Sequence, residues 1–315
     1  MKVLVTGASG FVGRYLVKEL LSKGHEVISL GLTNGNAISD ISVKNYEIDI
    51  LRNEDVLNVF NAVRPEAVIH LAAQSNVSKS WLVPALTSQV NIIGTINILE
   101  AFNKYGSGNK FINVGSGDEY GMTARNNVLL TEEMMCLPQN PYAITKYCSE
   151  QMVLKLGVKY QMEIVTTRSF NHFGPYQDKG FVVSDFASQI AEIKKGLKEP
   201  IIYVGDISAS RDFLYVEDVV NAYVALLENK VASGVYNISS GVALSISKIL
   251  NTLLKLCNED IEITIDESRF RPVDVNSFAG CNEKLKKSTG WSYKNNLTNN
   301  LEKTLNYWVN KIGGC

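Results

Sequence analysis

The first 170 residues alternate short apolar runs with longer segments in which apolar residues recur every three or four positions. Buried strands are predicted for the runs KVLVTG, EVISL, EAVIHLAA, KFINVGS and MEIVTTRS. Amphipathic helices are predicted for residues 11–24, 53–63, 87–106 and 142–160, with Asn53 capping the second of them. Strands separated by helices at this spacing indicate an α/β fold, with a parallel sheet covered by helices on both faces.

The pattern becomes less regular after about residue 170. NHFGPYQDKG is typical of a loop, and a helix at 181–196, short strands and further helices follow it. We therefore predict a nucleotide-binding domain over residues 1–170, to which some later segments can return. A smaller C-terminal α/β region, residues 171–315, is predicted to bind a second ligand.

Composition narrows the function classes. The chain has 315 residues, a formal net charge of −1 and 45% hydrophobic residues, so neither nucleic acid nor an anionic membrane is an expected partner. We identify no signal peptide and no apolar stretch near the ~20 residues that a membrane span needs. The five cysteines are odd in number and lack metal-site spacing, and there are only three histidines. These features predict a cytoplasmic protein without a metal site.

The stretch TGASGFVG has chemical meaning because it follows a strand and precedes a helix. Gly7 permits the tight turn, Gly10 lets a pyrophosphate approach the backbone, and Gly13 lets the helix pack on the strand. Free N–H groups at the helix start then face the phosphates. The alternative is a strand-to-helix turn that uses the glycines for geometry alone. Predicted cofactor-binding residues at this turn are Thr6, Gly7, Gly10, Phe11, Val12 and Gly13.

The end of the second strand bears on whether the dinucleotide is NADP(H) or NAD(H). An acidic residue there typically binds the ribose of NAD, and an arginine the extra phosphate of NADP, but Gly31 and Leu32 occupy these positions. The missing acid removes a repulsion and favours NADPH without excluding NADH. Asp49 is a candidate adenine contact, or else a polar turn residue before a helix. Further predicted cofactor-binding residues are Asp49, Ile50, Leu71, Ala72 and Ala73.

The stretch NPYAITK places Tyr142 and Lys146 four residues apart on one helix face, after the candidate N-cap Asn140 and Pro141 at the first helical position. A lysine ammonium beside a phenol is expected to lower the pKa of that phenol. The tyrosine could then exchange a proton with a sugar or alcohol oxygen near neutral pH. Ser116, at the end of a strand, could hydrogen-bond the same oxygen.

Taken in order, TGASGFVG, Asp49, HLAA, GSGDEYG, NPYAITK, NHFGP and RDF resemble the extended short-chain dehydrogenase/reductases that act on nucleotide sugars. The likeness covers nearly the whole chain. RSFNHFGP, SRDFLYVEDVVNAY and RPVDVNSFAGCNEKLKKSTGW look most like GDP-4-keto-6-deoxy-D-mannose reductases and the related GDP-mannose 4,6-dehydratases. The resemblance implies a doubly wound Rossmann domain with bound NAD(P), including contacts from Tyr142 and Lys146, and a C-terminal domain for the nucleotide sugar. It also implies Ser116, Tyr142 and Lys146 as the catalytic residues.

The acids of GSGDEYG separate two reaction types. Dehydratases that resemble this chain commonly place Glu where Asp118 stands, to expel water from the sugar. Asp118 is one methylene shorter, and Glu119 would face the other side on an extended backbone. Proton transfer requires hydrogen-bond distance, so a weakened elimination apparatus favours a reductase. A dehydratase or epimerase that recycles its cofactor is the alternative.

The C-terminal half is expected to hold the anionic nucleotide. Arg211 and Arg271 are candidates for the pyrophosphate, because guanidinium groups bind phosphate in a bidentate way. The alternative for each is an ion pair, with Asp212 and Asp274 respectively. Asn171 could contact the sugar or its phosphates, and Ser116 and Asp118 are also predicted to contact the substrate.

The resulting hypothesis is an NAD(P)H-dependent reductase of a nucleotide-linked 4-keto-6-deoxyhexose, most consistent with a GDP sugar in bacterial-type deoxysugar biosynthesis, and a homodimer. A non-catalytic NAD(P)-binding regulator on the same fold is the alternative from another class.

Overall fold

The computed structural model describes residues 1–32, 43–126, 129–269, 275–294 and 296–313. Its main sheet has seven parallel strands in the order β10-β6-β5-β4-β1-β2-β3. Those strands are β1 (Lys2–Thr6), β2 (Glu26–Leu30), β3 (Lys44–Tyr46), β4 (Ala67–His70), β5 (Lys110–Ser116), β6 (Glu163–Ser169) and β10 (Gly234–Ile238). The predicted doubly wound parallel sheet is confirmed.

Helices cover both faces of this sheet and continue into the C-terminal half. They are α1 (Phe11–Ser22), α2 (Asn53–Val63), α3 (Val77–Leu82), α4 (Pro84–Ser88), α5 (Thr95–Tyr105), α6 (Pro141–Tyr160), α7 (Val182–Lys194), α8 (Val216–Glu228), α9 (Ile246–Cys257), α10 (Glu283–Thr289) and α11 (Leu297–Gly313). Short 3₁₀ turns lie at Gly117–Tyr120, Met122–Asn126 and Glu267–Arg269.

The unbroken apolar run of β1 follows from this two-sided cover. Val3 and Val5 pack on one face with α1 and α8. Leu4 packs on the other face with α2, α5 and α6. Successive side chains of a strand point to opposite faces, so a strand buried on both sides needs apolar residues at every position.

The C-terminal half has its own smaller sheets. A four-stranded sheet contains β7 (Asn171–Phe173), β9 (Ser210–Tyr215), β11 (Ala243–Ser245) and β13 (Ser277–Phe278), and β8 (Ile201–Val204) pairs with β12 (Glu262–Ile265). A separate apolar core joins this region to α7, α9 and α11. The chain also returns to the first sheet, because β10 pairs with β6. The division at residue 170 stays a prediction, with β10 lying on the N-terminal side in space.

Two helix boundaries differ from the sequence-based expectation. The expected helix at 87–106 begins earlier, at Pro84, and a π-helical segment at Gln89–Gly94 connects α4 to α5. Asn53 does not cap α2 but is its first residue, and the side chain of Arg52 at the cap position makes no capping hydrogen bond. Asp49 instead stabilises the preceding turn, since its carboxylate accepts the N–H of Leu51 at 2.9 Å.

Candidate active site

The glycine turn between β1 and α1 has the geometry of a phosphate-binding site. Gly7 has φ of +67°, and a Cβ there would lie 2.9 Å from the N atom of Ala72. A Cβ on Gly13 would lie 2.4 Å from the carbonyl oxygen of Gly7, so only glycine permits this helix–strand approach. Gly10 is exposed and caps α1 without a side-chain hydrogen bond, which leaves the N–H groups of the first turn to bind an anion.

The remaining predicted cofactor residues lie along the same edge of the sheet. Leu71, Ala72 and Ala73 follow β4, and the N–H of Ala72 donates to Oγ1 of Thr6 at 3.1 Å. Thr6 also hydrogen-bonds the buried His70 at 2.7 Å, so its side chain supports the loop rather than projecting from it. Ile50 is buried against Gly94. These contacts bring the turn after β4 next to the glycine turn after β1.

Phe11 and Val12 start α1 at the boundary with the C-terminal half. Phe11 stacks on His172, with ring centroids 6.0 Å apart and planes at 13°. His172 is held by a 2.9 Å contact between its Nδ1 and the carbonyl oxygen of Phe170. The glycine turn is thereby packed directly against the NHFGP segment.

Ser116 and Tyr142 meet at the carboxyl end of β5. Asn140 caps α6 by accepting the N–H of Ala143 at 2.8 Å, and Pro141 is the first helical residue, as the sequence predicts. This start of the helix presents the Tyr142 hydroxyl to Ser116, with which it hydrogen-bonds. The N–H of Tyr142 also donates to Oγ of the buried Ser80 at 3.2 Å, which fixes the first turn of α6.

The pKa of the Tyr142 phenol is raised, whereas the sequence predicted a lowered pKa. Burial raises its pKa, and the carboxylate of Asp118 acts in the same direction, while the hydrogen bond with Ser116 opposes them. The prediction that Lys146 lowers the pKa of this phenol is therefore wrong for the protein alone, because desolvation dominates. Tyr142 is held as a phenol, which is the proton-donating form.

Lys146 lies one helical turn after Tyr142 and is 4% exposed. Burial lowers the pKa of its ammonium to about 8, and the carboxylate of Glu119 opposes that shift. Both groups that the YxxxK pattern identified thus lie in a desolvated environment, where ionic interactions are stronger than in water.

The extended backbone that was expected for GSGDEYG ends at Ser116, the last residue of β5, and a 3₁₀ turn follows at Gly117–Tyr120. Asp118 is partly buried on the side of Tyr142, whereas Glu119 is fully buried. Glu119 turns back so that its Oε1 accepts the N–H of Ser116 at 2.7 Å. The two acids therefore have different neighbours: Asp118 acts mainly on Tyr142, whereas Glu119 binds the Ser116 backbone and acts on Lys146.

A buried charge network lies behind this turn. Arg168 donates to both carboxylate oxygens of Glu150, from Nε at 3.0 Å and from Nη2 at 2.7 Å. Its guanidinium also lies over the Tyr120 ring, 4.7 Å from the centroid. Sequence reasoning missed this network, although an arginine in the apolar run MEIVTTRS indicates a buried partner.

Asn91 is a second residue that sequence reasoning missed. It lies in the π-helical segment, and its Oδ1 accepts the N–H of Gln74 at 2.8 Å. Its Nδ2 donates to Oγ1 of Thr145 on α6 at 2.9 Å. This amide joins the loop after β4 to the helix of Tyr142 and Lys146. The signal available was an asparagine directly before the apolar pair Ile92 and Ile93.

Of the three predicted substrate residues in the C-terminal half, the structure describes Asn171 and Arg211. Asn171 starts β7 and is partly buried. Arg211, on β9, donates from Nη1 to the carbonyl oxygens of Ser210 at 2.8 Å and Val275 at 2.7 Å. Asp212 is directed elsewhere, to backbone N–H groups, among them that of Ser240. Arg271 lies outside the described residues.

Over the ranges that the structure covers, no group of three or more Cys, His, Asp or Glu side chains could hold a metal ion. Within the same ranges, no helix combines the length and apolar character needed to cross a membrane.

Comparisons with known proteins agree on the family and the fold. The family model described as GDP-mannose 4,6 dehydratase matches residues 4–304. The GDP-6-deoxy-D-mannose reductase of Pseudomonas aeruginosa is 34% identical over 311 residues, covering 99% of this chain and 98% of the reductase. The UDP-glucose 4-epimerase of Bacillus subtilis is 28% identical and covers 94% of both chains.

Comparison with solved structures supports the same family and fold. The structure of RMD from Pseudomonas aeruginosa complexed with NADPH superimposes with a TM-score of 0.86, at 33% identity over 98% of this chain and 99% of that one. The Thermotoga maritima UDP-glucose 4-epimerase with UDP-glucose has a TM-score of 0.88, at 29% identity over 99% and 100% of the two chains.

Proposed function

Because the chain belongs to the GDP-mannose 4,6-dehydratase family, we propose that it reduces the C4 ketone of a nucleotide-linked 4-keto-6-deoxyhexose. We propose GDP as the nucleotide and NADPH as the reductant. The likeness to the Pseudomonas aeruginosa reductase, over 99% of this chain, supports this choice within a group that also contains dehydratases and epimerases.

The observation that carries the proposal is that Ser116 and Tyr142 meet at the carboxyl end of β5, with the buried Lys146 one helical turn away. Reduction of a ketone needs a proton donor at the carbonyl oxygen, whereas dehydratases and epimerases begin by oxidising the substrate and need a base there. Burial and the Asp118 carboxylate both raise the pKa of Tyr142. Tyr142 therefore stays in the protonated form that reduction of a ketone requires.

The glycine turn and its flanking residues fit a bound dinucleotide. The first-turn N–H groups of α1 beside Gly10 would hold the pyrophosphate, and the residues after β4 would line the adjoining edge. When bound, the dinucleotide supplies the hydride for C4. NADPH is favoured because Gly31 and the exposed Leu32, which follow β2, place no carboxylate near a 2′-phosphate.

Three side chains of this protein stabilise the negative charge that develops at the carbonyl oxygen. Tyr142 gives its phenolic proton to this oxygen as negative charge develops there. Ser116, which hydrogen-bonds the Tyr142 hydroxyl, is placed to donate to the same oxygen. The buried ammonium of Lys146 stabilises the phenolate that remains.

The alternative is a 4,6-dehydratase or epimerase with a recycled cofactor. One feature favours it: Asp118 lies close enough to Tyr142 to affect its ionisation. The shorter side chain of aspartate argues for a polar role instead. A non-catalytic NAD(P)-binding regulator would not need Ser116, Tyr142 and Lys146 together.

A substrate screen tests the proposal. Melting temperature is measured with NADPH and with GDP-, UDP- or dTDP-linked 4-keto-6-deoxy sugars, since a specific ligand stabilises the fold by mass action. NADPH oxidation is then followed at the nicotinamide absorbance. We expect the GDP sugar to give both the largest stabilisation and turnover. Stabilisation by a dinucleotide without turnover of any sugar nucleotide would favour the regulator.

We also propose that the chain forms a homodimer and is located in the cytoplasm. An apolar surface supports the dimer: α3, α4 and the π-helical segment pack beside α6 and expose Trp81, Leu82, Leu86, Ile93, Ile144 and Met152. Sedimentation velocity of the wild type and of Ile144→Glu tests the dimer, because a charge in a dimer interface would yield monomers.

The cytoplasmic location is supported by the free cysteines among the described residues, which suit a reducing compartment, and cell fractionation can check it.

A further inference from the structure

A fully buried carboxylate lies beneath the proposed catalytic groups without a role in the mechanism. Oε1 of Glu119 accepts the N–H of Ser116 at 2.7 Å. Oε2 has no hydrogen-bond partner among the described residues and lies 3.8 Å from Nε of Arg168. Burial, with the carboxylate of Glu150 nearby, raises the pKa of Glu119 well above its usual range, so an ion pair does not explain this placement.

Gly115 leaves the space that this carboxyl group occupies. A Cβ on Gly115 would lie 2.5 Å from Oε1 of Glu119 and 2.4 Å from the carbonyl oxygen of Thr167. Any larger residue would displace the Glu119 side chain from the N–H of Ser116. Gly115 in GSGDEYG is therefore explained by the close approach of the Thr167 carbonyl oxygen together with the position of this acid.

Neutralising Arg168 does not account for Glu119. Both oxygens of Glu150 already bind that guanidinium, at 3.0 Å and 2.7 Å. The contact between Arg168 and Glu119 is longer than a hydrogen bond. The short contact of Glu119 is the one to the Ser116 backbone.

We propose that Glu119 is a positioning residue for Ser116. Its carboxylate fixes the Ser116 backbone where β5 ends, while Oγ of Ser116 accepts the N–H of Asp118 at 3.2 Å on the same turn. Together these bonds direct the Ser116 hydroxyl towards Tyr142. The inference rests on the proposed function, in which Ser116 contacts the reacting oxygen.

Two variants of Glu119 with side chains of similar size show whether its hydrogen bond or its charge is needed. Glu119→Gln keeps an oxygen that can accept the Ser116 N–H, whereas Glu119→Met keeps the volume and removes the acceptor. We expect Glu119→Met to lower kcat by roughly a hundredfold, since a displacement of about 1 Å at a reacting group has this cost. NADPH affinity should not change. Glu119→Gln should recover kcat to within about tenfold of wild type. Equal losses in both variants would overturn the proposal.

A double-mutant cycle tests whether the effect passes through Ser116. In a Ser116→Ala background, Glu119→Met should cause no further loss of kcat, because the hydroxyl that it positions is absent. Additive losses would show an independent role for Glu119 and would overturn the inference. Glu119→Ala replaces the Met variant if the latter does not fold.

Amide hydrogen exchange provides a readout that does not depend on turnover. Exchange of the Ser116 amide should be slow in the wild type and in Glu119→Gln, and faster in Glu119→Met, with the rest of β5 unchanged. A wild type that oxidises no NADPH would contradict the proposed function, and the exchange result would then decide the inference alone. Unchanged Ser116 exchange in Glu119→Met would overturn it.

Discussion

Two buried acidic side chains have different hydrogen-bond partners. Glu119 lies at the edge of the main sheet that carries Gly10, Ser116 and Tyr142, here called the catalytic edge, and Asp212 lies in the small C-terminal sheet. Asp212 on β9 accepts three backbone N–H groups, from Ser240 at 2.8 Å, Gly241 at 3.0 Å and Gly280 at 3.3 Å. Glu119 accepts one short hydrogen bond, from Ser116. Asp212 joins three chain segments, whereas Glu119 supports a single turn beside Tyr142.

This difference separates groups that maintain the fold from groups that serve the reaction. The hydrogen-bonding capacity of Asp212 is used within the C-terminal sheet, so its loss should lower stability. The catalytic edge keeps an exposed Gly10, an uncapped helix start and a protonated phenol available to ligands. Substitutions there should change binding or kcat and leave the free energy of unfolding nearly unchanged.

The largest effect is expected at the glycine turn. Gly10→Val should abolish measurable dinucleotide binding, because a branched side chain would occupy the path of the pyrophosphate. The backbone at Gly10, with φ of −72° and ψ of 177°, is open to any residue, but a Cβ there would lie 3.2 Å from the carbonyl oxygen of Gly7, so we expect a small decrease in the melting temperature of the protein alone. NADPH fluorescence titration measures the affinity. An unchanged affinity would mean that the glycine has only a structural role.

The next effect concerns the proton donor. Tyr142→Phe should lower kcat by about a hundredfold or more, the usual scale for a general acid, while NADPH binding and the melting temperature persist. Steady-state kinetics and the same titration measure both. Near-normal turnover in this variant would remove the proposed role of the phenol.

The opposite behaviour is expected at Asp212. Asp212→Ala leaves three buried backbone N–H groups without their acceptor, and each such loss costs about 1–3 kcal/mol in stability. Urea unfolding should show a decrease of at least about 2 kcal/mol, with kcat per folded molecule close to wild type. A folded, fully stable variant with reduced kcat would reverse the comparison between the two regions.

The smallest effect is expected at Asp118. Asp118→Asn should leave ketone reduction within about tenfold of wild type, because no proton transfer in that reaction requires it. Ser116→Ala should cost about a hundredfold, since Ser116 donates to the oxygen on which charge develops. Turnover of both variants is measured with saturating NADPH. If Asp118→Asn were the more damaging, a dehydratase or epimerase would replace the reductase.

Much of the catalytic edge could be predicted from the sequence because its signals are local. The glycine turn, the Asn140 cap and the Tyr142–Lys146 spacing each fit within a few residues, and α6 begins where they predict. The main sheet followed from apolar runs that are buried on both faces. Local pattern and local structure agree at these points.

The parts that could not be predicted depend on distant segments. The pKa of Tyr142 is set by burial and by Asp118, which a pattern on one helix does not contain. Glu119 and Arg168 meet only after β5 and β6 pair. Arg211 faces carbonyl oxygens, including that of Val275, rather than the adjacent Asp212. In each case tertiary contacts outweigh the neighbouring residues in sequence.

In a reductase, hydride passes from the cofactor to C4 of the sugar and is not returned. NADPH that carries deuterium at both C4 positions of the nicotinamide is incubated with the enzyme and GDP-4-keto-6-deoxymannose, and the product is analysed by mass spectrometry and proton NMR. We predict one deuterium at C4 for each NADPH oxidised, and an initial rate of product formation at least about a hundredfold lower with Tyr142→Phe. Product formed without deuterium, and without net oxidation of NADPH, would contradict the reductase.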